Sequence, residues 1–342
     1  MGKWLSLFAL CCTIACGGEA EQPAAQAPEA KPPAEPVTLT VYSGRGESMV
    51  GPLFERLPKD APFKLEVQYG KTAEMVTRLV AEGDQSPADV IFAQDSGHLG
   101  VLAARDVLAP LPESLLSQAD SRFVDPEGKW VGTSGRLRVL VYNSEKLNED
   151  TLPKSIEELA DPKWKGRLGW APTNGSLHAH LGALRHAWGD EKTKEWLKGV
   201  QANAPTRYPK NSPQVAAANE GTIDIGWVNH YYLHRLDKEG RIAKNWSFPT
   251  AGDPGNVLMV AGAGIRKNSK NKEAAEAFIN WLLSESSQNY FAQEGFEYPT
   301  RPGIKTHPDV TELGEDQLAT VNQANLADLG PTRAMLTELG LL

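Results

Sequence analysis

Apolar and polar positions alternate through residues 37–44 (VTLTVYSG), the period-2 pattern of a half-buried strand, and a turn containing Gly44 and Gly46 follows. Residues 49–57 (MVGPLFERL) read as a short helix and 63–70 (FKLEVQYG) as a second strand. In 73–84 (AEMVTRLVAEGD), Met75, Val76, Leu79 and Val80 recur at helical spacing until Gly83 stops them. The compact apolar run at 88–93 (ADVIFA) predicts a buried strand, and 99–108 (LGVLAARDVL) another helix. Such alternation builds a parallel sheet with crossover helices, in which ligands gather beyond the carboxyl ends of the strands. The loops expected there are SGRGES (43–48) and QDSGH (94–98).

Residues 135–143 (GRLRVLVYN) predict an apolar strand long enough to leave one lobe and enter a second. Within 158–184 the pattern gives a short helix, a strand and a Gly-containing turn that opens a helix. Residues 191–200 (EKTKEWLKGV) are amphipathic, and 222–228 (TIDIGWV) form another strand. Residues 256–268 (NVLMVAGAGIRKN) read as a strand returning to the first lobe, and 272–294 as a strong helical stretch with an acidic start. The predicted fold class is α/β with two lobes, each a mixed, mostly parallel sheet flanked by helices, joined by a hinge of two crossing strands. Residues 37–136 and 262–312 are expected in lobe 1, and 137–261 and 313–342 in lobe 2.

The length of 342 residues exceeds one typical core, in line with two lobes. A formal charge of −8 excludes nonspecific nucleic-acid binding, which needs a basic face. Nine tryptophans suggest aromatic surface in a cleft. All three cysteines, Cys11, Cys12 and Cys16, lie near the start, so the body has neither a disulfide nor a thiolate metal site. Residues 1–15 carry one Lys, an apolar run and small residues, the layout of a secretory signal peptide. The run is too short to span a bilayer. TIAC, ending at Cys16, resembles a bacterial lipoprotein box with Thr13 where Leu is usual, which implies cleavage before Cys16 and a lipid on its sulfur. Residues 16–36, rich in Ala, Pro, Glu and Gln, predict an extended linker. A membrane-anchored lipoprotein of the periplasm or cell envelope is the expectation.

Tyr231 and Tyr232 stand side by side in DIGWVNHYYLHRL (224–236). On a strand they would face opposite ways, whereas on the first turn of a helix they are about 100° apart and can share a cleft. Asn229 is the expected N-cap of that helix.

Several stretches in the same order resemble the ferric-ion-binding solute receptors of bacterial ABC importers, a class II periplasmic-binding-protein family. They are LTVYSGR, AEGDQSPADVIFAQ, SGRLRVLVYN, DPKWKGRLGWAPTNGS, KNSPQVAAANEGTIDIGWVNHYYLHRL and DPGNVLMVAGAGI. The resemblance covers about residues 37–310 and implies that Tyr231 and Tyr232 supply phenolates to Fe³⁺. A small, hard, highly charged cation favours such oxygen donors and drives their ionisation. Two phenolates at a helix start also lie near the positive end of its dipole. Where relatives place His and Tyr in the first loop, this chain has Gly46 and Glu47, and where some place Glu it has Gln94. Glu47 is a hard donor able to replace a phenolate, and His178 is the nearest counterpart of a further family Tyr. By the same resemblance the shell is completed by water or by an anion, often carbonate or phosphate in the family. Arg136 matches the arginine that holds it, and Asn211 and Asn229 match polar contacts in its pocket. Thr173, Asn174, Gly175 and Ser176 open a helix whose N–H groups face an anion, and Arg45 adds positive charge near the cleft mouth.

The expected protein is a monomeric receptor that closes on a ferric ion or ferric complex and passes it to an ABC importer permease, with no nucleic-acid partner. The alternative is a receptor of the same fold for an organic or phosphorylated anion without metal. An enzyme is the third reading, but the sequence holds no GxSxG elbow, P-loop or GxGxxG after a strand. His178 and His180, two residues apart, do not share a helix face as a metalloprotease pair would.

Overall fold

The computed structural model describes residues 37–342 other than 237, 313, 321–325, 327 and 328. The expected signal segment 1–15, Cys16 and the 16–36 linker lie outside the described residues. The strands are β1 (Val37–Ser43), β2 (Phe63–Tyr69), β3 (Val90–Ala93), β4 (Val131–Asn143), β5 (Leu168–Trp170), β6 (Thr206–Arg207), β7 (Ile225–Asn229), β8 (Ala243–Trp246), β9 (Leu258–Ile265) and β10 (Tyr298–Pro299). The α-helices are α1 (Glu47–Phe54), α2 (Thr72–Glu82), α3 (Ser96–Ala104), α4 (Glu113–Leu116), α5 (Gly175–Trp188), α6 (Asp190–Ala202), α7 (Asn211–Asn219), α8 (Lys272–Leu282), α9 (Glu285–Gln293) and α10 (Leu329–Glu338).

The strands order as β2-β1-β3-β9-β4-β7-β5-β6, with β8 and β10 both pairing with β4. Strands β2, β1 and β3 run parallel, as the strand–helix alternation predicts, and β9 joins β3 antiparallel. On the far side β7, β5 and β6 are parallel to one another and β4 is antiparallel to β7. Strand β4 crosses between the two halves. Its residues up to Leu137 pair with β9, and from Arg138 onward they pair with β7. All thirteen residues of β4 are buried, so it shows a continuous rather than an alternating apolar pattern. The run into β9 is the second crossing, and the molecule is two-lobed.

Each half has its own core. One gathers Leu39, Val41, Val90 and Phe92 under Phe278 and Phe291. The other centres on Leu140, Trp164, Trp170, Trp196 and Trp227. The tryptophans therefore answer to packing. Trp130, Trp164, Trp170, Trp196 and Trp227 are buried, which corrects the expectation of cleft-lining rings. A large ring gains more from full burial in a core than from a wet surface. The 272–294 stretch is also two helices, because the Ser284 side chain accepts from the Ser287 N–H and starts α9. The glycines of AGAGI make close strand contacts in place of cradling phosphate: a Cβ on Gly262 would lie 2.6 Å from the Val131 carbonyl oxygen.

Candidate functional site

Strand β7 ends at Asn229, and His230–Arg235 follows as a 3₁₀ turn where an α-helix was expected. With three residues per turn, neighbours on it diverge more widely, yet the two phenol rings still meet. Their centroids are 4.5 Å apart with planes inclined at 31°. The Arg235 guanidinium lies 5.0 Å from the Tyr231 ring centroid and 4.8 Å from that of Tyr232.

Asn229 does not serve as the cap, because its side chain is engaged elsewhere. Its Oδ1 accepts from Arg138 Nη1 at 3.1 Å, a charge-assisted bond stronger than a neutral cap. Its Nδ2 donates to Ser176 Oγ and to Tyr231 Oη, each at 3.4 Å. Tyr231 is buried, and burial, then the neighbouring Tyr232 phenol, raises its pKa well above the ordinary phenol value, with Arg136 opposing. Without a metal this phenol is therefore protonated at neutral pH.

Arg138 is the residue that sequence reasoning missed. It stands two positions after Arg136 on β4, so both side chains share a face. Nη2 donates to the Trp227 carbonyl at 2.7 Å, and Nη1 also reaches Asn211 Oδ1 at 3.5 Å. Burial pushes Arg138 down to about 9, against the favourable pull of Tyr232 and Tyr231, so it stays cationic at neutral pH. Arg138 Nε and Asn211 Nδ2 are buried without partners among the described residues. Such donors need a ligand or water.

Arg136 takes a different place: its Nη1 donates to the Gln94 carbonyl, and its Nε is a further buried donor without a partner among the described residues. Thr173, Asn174, Gly175 and Ser176 do open α5, with Asn174 Oδ1 accepting the Ser176 N–H at 3.0 Å. The structure thus brings together Tyr231, Tyr232, Asn229, Asn211, Ser176 and the two arginines.

Three further expected members make other contacts in this structure. Glu47 is exposed on the first turn of α1, where its charge adds to the burial that raises the Tyr69 phenol. His178 turns back on its own helix start, Nε2 lying 2.7 Å from the Pro172 carbonyl, and burial lowers its basicity. Arg45 is buried: Nη2 donates to both Glu297 carboxylate oxygens at 3.0 Å and Nη1 to Ser134 Oγ at 2.9 Å. It lines a cavity of about 220 Å³ with Tyr231, Arg235 and Phe296, but its charge is already matched by Glu297. Among the described residues no three His, Cys, Asp or Glu side chains converge as a metal site.

A sheet in which β4 runs from one core to the other is the framework of a solute-binding protein. The chain belongs to the bacterial extracellular solute-binding proteins, whose family pattern matches residues 85–325. It is 31% identical over 309 residues to the Fe(3+)-binding periplasmic protein of Serratia marcescens, covering 89% of this chain and 90% of that one. Iron-bound HitA from Pseudomonas aeruginosa superposes with a TM-score of 0.82 at 30% identity, over 90% of this chain and all of that one. A Trichodesmium protein in complex with iron and citrate gives 0.79 at 26% identity, over 89% and 100% of the two chains. The fold is the type II periplasmic-binding-protein fold shared with these neighbours.

Proposed function

We propose that this chain is a receptor that captures ferric iron in its interlobe cleft and delivers it to an ABC importer. Tyr231 and Tyr232 supply the phenolates. A small anion, carbonate or phosphate, occupies the space faced by Arg138, Asn211, Asn229, Ser176 and the start of α5. Arg136 lies beside it and favours the ionised form of Tyr231. The observation that carries the reading is the pair of phenol rings near the buried Arg138 guanidinium, whose Nε has no partner among the described residues.

Before metal binds Tyr231 holds its proton, so capture releases protons and acid weakens it. The two lobes, 37–136 with 262–312 and 137–261 with 313–342, close about β4 and the run into β9, and the metal favours the closed state by its differential affinity. The protein acts as a monomer, held to the membrane through a lipid on Cys16, in the periplasm or cell envelope.

Ferric citrate added to the purified, metal-free protein tests this. A visible phenolate-to-iron charge-transfer band is expected, and Tyr231→Phe with Tyr232→Phe removes it. A wild-type protein that stays colourless and retains no iron on a desalting column refutes the reading.

A further inference from the structure

His230 lies between the phenol pair and the strand crossing, and it is 2% exposed. The Leu137 N–H donates to its Nδ1 at 3.1 Å, which places the ring proton on Nε2. Nε2–H then donates to the Phe296 carbonyl at 2.6 Å. Leu137 is the last β4 residue paired with β9, and the next, Arg138, pairs with Asn229. One nitrogen of this imidazole therefore holds the crossing strand, and the other holds the corner after α9, whose Phe291 belongs to the first core.

That corner is itself fixed. Phe296 has φ of +54°, a conformation bulky residues adopt only when their surroundings over-determine it. Its ring stacks on His234 of the same 3₁₀ turn at 4.6 Å and 4°. Its neighbour Glu297 is locked in the buried pair with Arg45. The His230 ring also packs 4.8 Å from Tyr298 and edge-on to Tyr231 at 5.7 Å and 81°.

We propose that His230 is a positioning residue for iron capture: by joining the crossing strand at Leu137 to the Phe296 corner, it sets the orientation in which the Tyr231 phenol meets the metal. The inference rests on the ferric reading. Groups hydrogen-bonded directly to a metal's ligands change metal affinity by about 10- to 100-fold when removed; His230 acts through ring contact and the backbone, so the lower end applies.

Three variants dissect the two bonds. His230→Phe keeps a ring and loses both bonds, His230→Asn keeps an acceptor near Nδ1, and His230→Gln keeps a donor near Nε2. Each is loaded with ferric citrate, and the charge-transfer band, affinity by citrate competition and melting temperature are recorded. His230→Phe is expected to shift or weaken the band and lower affinity at least about tenfold, with partial recovery in the Asn or Gln variant. A folded His230→Phe with wild-type band and affinity overturns the proposal, even if its melting temperature falls, because the residue is then only structural. Should His230→Phe fail to fold, wild-type band and affinity in both amide variants overturn it equally. A colourless wild type takes the ferric reading and this proposal down together, before any variant is compared.

Discussion

Arg138 and Arg136 show what one residue's environment decides. Both lie on one face of β4, yet one reaches Asn229, Asn211 and the Trp227 carbonyl while the other reaches Gln94. Strand alternation, read from the sequence, puts the two arginines on a common face but cannot say which guanidinium meets which loop. If Arg138 holds the anion, Arg138→Met removes a charge-assisted contact, about 1.5–3 kcal/mol of the anion-dependent part of iron affinity. Titrating carbonate or phosphate at fixed ferric citrate checks this. Wild-type anion dependence in the variant would move the anion elsewhere, with Arg136 the next residue to change. His178 and Glu47 were expected as ligands because of their place in the chain; here His178 Nε2 meets the Pro172 carbonyl, three residues before α5 begins, and Glu47 is exposed.

At the scale of elements, the periodic stretches were legible: β1 to β3, β7, β9 and the helices between them follow the apolar pattern. Their ends were less so, since caps depend on single side chains. Ser284 divides a continuous helical pattern, and Asn229, the expected cap, is drawn away by Arg138. The cap that positions the site is Asn174. Its Oδ1 holds the Ser176 N–H and so fixes the first turn of α5 beside Asn229. Asn174→Ala is expected to cost about 1 kcal/mol in urea unfolding and Asn174→Asp to restore most of it. Equal stability of all three proteins would show that packing of Leu177 and Leu181 alone sets that helix start.

Across the whole molecule, the second core carries a titrating group. His180 accepts from Trp227 Nε1 at 3.1 Å and faces the Pro254 carbonyl; burial first, then Arg138, depresses it to about 3. A folded-state value below the unfolded one, near 6.5, means the unfolded chain takes up the proton first. This contribution to stability is complete above about pH 6.5 and is lost as pH falls toward about 3, at about 1.4 kcal/mol per pH unit. Urea unfolding from pH 7 to 4 should show that slope, and His180→Asn, which keeps an acceptor for Trp227, should flatten it. A slope unchanged by the substitution would assign the acid sensitivity to other groups, namely His230 and His234, which burial depresses to about 4, or the carboxylates. The sequence by itself determined the alternation of strands and helices, the two lobes and the stretch bearing the phenols, because periodicity and residue order are local properties. Only the tertiary structure decided that Arg45 closes on Glu297, 252 residues away, that Arg138 closes on Asn229, and that His230 ties the tyrosine turn to Phe296. Those choices are made where β4 crosses between cores, and a side chain there selects among partners that no sequence spacing brings together.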